Sequence, residues 1–550
     1  MARARSVGLT TLARTLRRGP KLGAGSRKPY HRLEYGPGEP HQRRLELSAR
    51  SPRGRQRSLL HFVHYTDMQI ADAQSPVRGE WIERYSDLEC ASAPLQAAFR
   101  PQETLTLQAF EQTIRTVRQI AHSPVSGFPI QFAMCTGDNI DNQQFNELRW
   151  FVDLMDGLPV RPNSGGKEYE GVQSAAWENP EFWHPEPVPD KYKQQYGFPE
   201  YPGLLREATR SFRTQGVGIP WYSCFGNHDG LIQGNIPKQP VLDQISVGQL
   251  KSATPPPGVN PCDEFETFLA NPQSLFAGPA FLVTPDEDRR ILTRRQYIEE
   301  HFRTRGSPRG HGFAPENRES GLAYYVLDEY PGLRMIVLDT TNPGGFAEGS
   351  IGAAQLAWLE EQLTEVHSRF YDADGTLQET RNQDQLVVLF SHHGLGTLNN
   401  PVITPDPFTP EQNDLPRIMA PEIETLVHRF PNVVLWVVGH THRNEVVARP
   451  DPDGRTNGFW EVTTSAIMDW PCQTRLIEIL ANDNSTLSIF GTMVDHGGPA
   501  DPEEAGGLGR LASIFREVSS NDPQAGIDGV AQGKRKDRNV ELVIPVPFRG

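Results

Sequence analysis

Long apolar runs are missing from these 550 residues. No stretch of about 18 consecutive apolar residues occurs, which excludes a transmembrane helix. Arg17-Arg18 stands near the start, but Gly19-Pro20-Lys21-Leu22-Gly23 follows it instead of an apolar core. A secretory signal is therefore not indicated, and the expected location is cytoplasmic. Cysteine is scarce: Cys90, Cys135, Cys224, Cys262 and Cys472 are the full set, with no C-x-x-C pair. That odd, scattered set excludes a disulfide framework and fits a reducing compartment. No internal repeat is present. An excess of positive charge is lacking too. The 54 Lys+Arg against 68 Asp+Glu leave a net charge of −14, which argues against a general nucleic-acid coat.

What is present fits a folded chain. Apolar residues make up 37%, enough for a sizeable core. The 49 Gly and 47 Pro exceed the usual share and point to long loops. Charge is unevenly spread. Residues 1–60 carry 15 Arg/Lys and three Glu, a balance of +12, so the remainder carries −26. The plainer reading of this basic arm is docking on its own acidic body. A membrane or nucleic-acid contact is the alternative.

Short apolar runs set the rhythm of the chain, each ending in polar or ionisable residues. They are Leu59–Tyr65, Ile130–Cys135, Ile219–Phe225, Arg334–Leu338, Leu386–Phe390 and Val433–Val438. Their length and β-branched or aromatic content predict buried strands. Between them, Leu107, Phe110, Ile114 and Val117 recur at helical spacing. So do Leu148, Phe151, Val152 and Met155, and then Leu356, Leu359, Leu363 and Val366. Alternating strands and helices predict an α/β architecture. In such sheets, site residues gather at strand carboxyl ends.

Two long segments interrupt this pattern, at about 160–215 and 230–320. The first holds Trp177, Phe182, Trp183, Tyr192, Tyr196, Phe198 and Tyr201 among prolines, and the second an Arg-rich stretch from Arg289 to Arg305. Loops this long are usually lids or caps, and the aromatics predict a packed cap more than a cleft lining. The expected organisation is a basic arm at 1–57, one domain at 58–500 carrying both inserts, and an extension at 501–550. Within the extension lie an amphipathic patch, Leu508–Val518, and an apolar end, Val540–Phe548.

The polar clusters after the strand-like runs share one chemistry. Asp67 stands in Thr66-Asp67-Met68-Gln69. Gly137-Asp138-Asn139-Ile140-Asp141 follows, then Gly226-Asn227-His228-Asp229, His392-His393 and Gly439-His440-Thr441-His442. Carboxylates, imidazoles and one amide oxygen suit Mn, Fe, Zn or similar ions without choosing among them. Two cations about 3.5–4 Å apart need a shared carboxylate; they lower the pKa of a bound water and polarise a phosphoryl group. A nearby imidazole can then protonate a leaving oxygen. Each cluster alone is a weak signal; their fixed order, each after a strand, is the strong one.

In that order the sequence resembles the calcineurin-like metallophosphoesterase superfamily, whose pattern is D-x-H, G-D-x-x-D, G-N-H-[DE], H and G-H-x-H. More closely it looks like an actinobacterial subgroup with long inserts. The resemblance covers roughly 58–500, with firm matches only at the motifs. It implies a four-layer α/β/β/α sandwich with cap-like insertions, two metal ions, and hydrolysis of a small phosphomonoester or phosphodiester. By position, Asp138 bridges both metals, Asp67 and His442 bind the first, and Asn227, His392 and His440 bind the second. His228 acts on the leaving group, Asp229 orients its imidazole, and Asp141 fixes ligand orientation from behind. His393 stays open as the alternative to His392.

The first motif departs from the pattern, with Gln69 where D-x-H has an imidazole. Gln69 either ligates through its oxygen, favouring a harder ion such as Mn or Fe, or stands behind the ligands, or marks a decayed site. Gln69, the basic arm and the inserts also motivate a rival function, a non-catalytic metal-binding or docking module. Asp339 reads as structural, Asp72 as a cap or turn residue. Arg443, Asn444 and Asp469 remain ambiguous. Substrate identity and oligomeric state are not encoded in any motif.

Overall fold

A computed structural model describes residues 2–82, 98–259, 271–403 and 415–548. Among the described residues, thirteen strands build two large sheets. They are β1 (Gln42–Arg44), β2 (Gln56–Tyr65), β3 (Phe132–Cys135), β4 (Trp221–Ser223), β5 (Tyr325–Leu327), β6 (Leu333–Val337) and β7 (Leu386–Phe390). The chain continues with β8 (Val433–Val438), β9 (Glu445–Arg449), β10 (Phe459–Thr463), β11 (Gln473–Asn482), β12 (Thr486–Asp495) and β13 (Val540–Pro545). Five longer helices matter for the layers: α1 (Thr106–Ile120), α2 (Phe145–Asp156), α3 (Ala353–Glu365), α4 (Ala420–His428) and α5 (Gly507–Ser520). The chain is thus a mixed α/β protein.

The seven-stranded sheet runs β1-β13-β12-β11-β2-β3-β4, and the six-stranded sheet β9-β10-β8-β7-β6-β5. In the first, β2, β3 and β4 are adjacent and parallel. In the second, β6, β7 and β8 are adjacent and parallel. Two parallel triplets therefore send six strand ends the same way within their sheets, where the polar clusters follow. All six apolar runs picked out from the sequence are strands. Two are shorter than the runs: β3 starts at Phe132 and β4 after Pro220, which has no N–H for a ladder.

Side chains on alternate positions decide the layering. Met335, Val337, Val388, Phe390, Leu435 and Val437 join the core shared with β2 and β3. Phe62 of β2 meets Phe390 of β7 edge to face at 5.5 Å, across the two sheets. The intervening Ile336, Val387, Leu389 and Trp436 turn the other way and pack with Leu359 and Leu363 of α3 and Ile423 and Val427 of α4. On the far side of the seven-stranded sheet, Tyr65 meets Phe110 of α1 at 5.3 Å. Phe110 in turn stacks on Phe151 of α2 at 6.2 Å. Each fully buried Phe or Leu contributes about 1.5–3 kcal/mol.

The segment 177–201 is packed. Phe198 makes ring contacts with Tyr30, Trp183 and Tyr192 at 5.0, 5.8 and 5.2 Å. Trp177 stacks on Phe281 at 4.3 Å, joining the two inserts. At the N-terminus a hairpin of Arg14–Gly23 and Tyr30–Pro37 buries Leu16 and Leu33 against Trp470 and Ala500. Its cations meet acids of the C-terminal segment: Arg18 and Lys28 on Asp528, and Arg32 on Asp501 at 3.1 Å. Cys135, Cys224 and Cys472 are buried free thiols; Cys90 and Cys262 lie outside the described residues. Among the described residues, no helix is long and apolar enough to cross a membrane.

Candidate metal centre

Asp67 follows β2, Asp138 follows β3, Asn227 and His228 follow β4, His392 follows β7, and His440 and His442 follow β8. The turns that carry them are unusual. Asp67, Gln69, Asp138, His440 and His442 have φ of 51, 41, 50, 70 and 55°. Non-glycine residues in the left-handed region cost of order 1 kcal/mol each and cluster at functional sites. The loops also approach closely. A Cβ on Gly137, itself at φ 91°, would stand 2.8 Å from Gly226 Cα and 2.9 Å from His392 Nδ1.

The side chains converge from both sheets. His442 Nε2 lies 3.3 Å from Asp67 Oδ1, and His392 Nε2 lies 3.2 Å from Asp138 Oδ2. Asn227 Oδ1 is 2.9 Å from the same His392 nitrogen. Gln69 Nε2 reaches Asp138 Oδ2 at 3.5 Å. Backbone amides complete the frame, with His440 N–H donating to Asp67 Oδ2 at 3.1 Å and His228 N–H to Asp138 Oδ1 at 2.9 Å. Two groups of ligand-capable atoms result, Asp67 with Asp138 and His442, and His392 with His393 and His440, each within 4.8 Å. Asp67 Oδ1 and Gln69 Oε1 are buried and accept no hydrogen bond. Carboxylate and amide oxygens that accept no hydrogen bond, beside imidazole nitrogens, form a donor set that fits a cation.

Electrostatics are strongly polarised. Burial opposes ionisation of Asp67, yet His442 and His392 hold its carboxyl well below the usual range. Burial likewise disfavours charge on His392 and His442, but Asp138 lifts the first to about 9 and Asp67, with Asp469, the second to about 10. His440 goes the other way, to about 3, through burial and the neighbouring His392.

His392 and His393 have different surroundings. His392 Nδ1 donates to the Thr136 carbonyl at 2.8 Å, leaving Nε2 toward Asn227 and Asp138. Both nitrogens of His393 are engaged, with Thr340 Oγ1 and the Ala347 carbonyl, each at 2.8 Å.

His228 turns Nδ1 to the Asp141 carbonyl at 2.8 Å and to Asp141 Oδ1 at 3.3 Å. Asp141 is itself paired with Arg78, which also meets Glu103 at 2.9 Å. The partner of the imidazole is thus Asp141 and not Asp229, the residue next to it in sequence. Asp229 instead accepts the backbone amides of Gly226, Asn139 and Ile140 at 2.8, 3.0 and 3.1 Å. A short helical turn, Asn227–Gly230, points its carboxylate back into the loop. Burial, then Asp138, raises the Asp229 carboxyl to about 8.

Sequence reasoning left Asp469 undecided and passed over Arg78 and Arg100. Asp469 Oδ2 accepts from His442 Nδ1 at 2.6 Å, and its Oδ1 accepts from Arg100 Nε at 2.7 Å. None of the three belongs to a motif, so spacing carried no signal. The weaker candidates are structural: Asp339 pairs with Arg294 at 3.1 Å, Asp72 accepts from Ser164 Oγ at 2.7 Å, and Asn444 Oδ1 caps Ser465 N–H at 3.1 Å. Arg443 meets Glu445 at 2.8 Å.

No family model matches the chain, and no curated protein matches it. Among solved structures, the chain is similar to a dimetal phosphatase from Danio rerio at 11% identity. That likeness covers 80% of this chain and 100% of the other, with a TM-score of 0.31. An overlap this loose carries no argument, and none of these comparisons supports the long-insert subgroup.

Proposed function

We propose that this protein hydrolyses a small phosphoester at a dinuclear metal centre. The observation that carries the reading is the meeting, at the ends of two parallel strand triplets, of two ligand-capable groups beside His228. Asp138 would be the shared carboxylate. Asp67, His442 and Gln69, through its Oε1, would hold one ion; Asn227, His392 and His440 would hold the other. When bound, two such ions supply a lowered water pKa and polarised phosphoryl oxygens.

The chain's own residues do the rest. His228 carries a proton on Nδ1 for the Asp141 carbonyl, so Nε2 faces the centre, 3.9 Å from Asp138 Oδ2. Burial opposes its protonation, but Asp138 and Asp141 raise its pKa, which suits a general acid. His228 would give its Nε2 proton to the leaving oxygen. Asp141, neutralised from behind by Arg78, keeps the ring oriented. We read the two facing sheets with outer helices as the four-layer sandwich, and 58–500 as its catalytic body. Carboxylate, imidazole and amide oxygen donors suit Mn, Fe or Zn.

The test is hydrolysis of an aryl phosphate ester after metal loading. Wild type turns over, whereas Asp138→Asn and His228→Ala lose activity. Full activity in either variant contradicts the assignment. The rival docking module predicts no turnover with any of these metals.

A further inference from the structure

We propose that Asp469, held by Arg100, makes His442 a competent metal ligand and so offsets the weak donor Gln69 in the same group. The inference rests on the dinuclear reading above. Asp469 and Arg100 are nearly inaccessible, with side chains 3% and 5% exposed. Asp469 Oδ2 stands 2.6 Å from His442 Nδ1. Its Oδ1 accepts from Arg100 Nε at 2.7 Å and Gln102 Nε2 at 3.5 Å. An ionised carboxylate only accepts, so the proton of the imidazole sits on Nδ1. Nδ1 is thereby kept as the protonated nitrogen, and Nε2, 3.3 Å from Asp67 Oδ1, is the atom left to give up its proton and ligate. The placement is anchored, because Met468 N–H donates to the Asp67 carbonyl at 3.1 Å.

The group needs such support. Beyond Asp67 and the shared Asp138, it offers one imidazole and the neutral amide oxygen of Gln69, which accepts no hydrogen bond. A carboxylate behind an imidazole fixes its tautomer and raises its basicity as a ligand. Asp469 is a positioning residue: it acts through His442.

Asp469→Asn tests this with little change in shape. Arg100 retains the remaining oxygen, so the new amide turns its NH2 toward His442 Nδ1. The ring proton then moves to Nε2, the atom meant to ligate. Chelator-stripped full-length chains are titrated with Mn2+ by calorimetry. Wild type is expected to take two equivalents. D469N takes one with unchanged affinity, the other being weakened about 10–100-fold. Adding Gln69→His to D469N restores the second equivalent. Two unchanged equivalents in D469N overturn the inference while leaving the dinuclear reading intact. No uptake by wild type removes both. Should D469N fail to fold, nitrogen-15 spectra of the Zn2+-loaded wild type read the His442 tautomer directly. Nδ1–H supports the inference, and Nε2–H overturns it.

Discussion

Asp229 and Asp141 stand near each other in the fold and do different work. Asp229 satisfies three backbone amides and so ties the loop after β4 to the loop after β3. Removing a buried acceptor costs about 1–3 kcal/mol per orphaned group. Asp229→Ala should therefore lower stability by at least about 2 kcal/mol, read as a lower denaturant midpoint. A loss under about 0.5 kcal/mol, the range of neutral surface changes, would contradict that role. Asp141 touches His228, so Asp141→Asn should lower kcat with an intact fold. His228→Ala should lower kcat by about 10²–10⁴-fold, the range of a lost general acid. The residues that converge at the centre were legible as residue types just after strands. The groups behind them were not: Asp469 reaches His442, and Arg100 and Arg78 hold Asp469 and Asp141, from positions with no motif and a sequence separation that only the fold closes.

At the level of elements, the parallel strands were legible because buried strands read as continuous apolar runs. The edges were not. β13 and β1 pair within the seven-stranded sheet although they come from opposite ends of the chain, and no local pattern announces such a pairing. The aromatic content of 177–201 does announce packing, and its rings are in contact. Phe198→Ala should cost about 3–5 kcal/mol and lower Tm clearly, since its ring sits among Tyr30, Trp183 and Tyr192. A Tm within a degree of wild type would contradict that packing. Helix α5 adds a pH dependence. Glu517 accepts from Tyr201 at 3.0 Å and Tyr30 at 3.2 Å, and lies 3.4 Å from Arg32. Burial outweighs Arg32 and raises its carboxyl from 4.5 to about 7. Between these values the folded state binds the extra proton, so this group costs stability as pH rises from 4.5 to about 7. Glu517→Gln lacks that penalty. Relative to wild type it should gain roughly 3 kcal/mol across the window, measured by urea unfolding at both ends. A constant difference would contradict the shift.

Across the whole molecule, the charge asymmetry resolves internally. The basic hairpin lies on acids of the C-terminal segment, and Arg32 reaches Glu517 of α5, so the +12 arm is partly matched by its own body. The strongly acidic remainder then poses a physical problem for any phosphate ligand, which bound cations solve. Two sheets bring their carboxyl ends to one place, and there the chain gathers imidazoles and carboxylates with buried oxygens that accept no hydrogen bond. On the reading proposed above, this gathering holds two metal ions for phosphoester hydrolysis. Elemental analysis of the purified chain, run beside turnover of an aryl phosphate ester before and after chelation, tests it most directly. Expected are two ions per wild-type chain, turnover lost on chelation and restored by Mn, Fe or Zn, and neither full occupancy nor turnover in Asp138→Asn. Hydrolysis that survives complete chelation, or a wild-type chain that binds no metal, would contradict it.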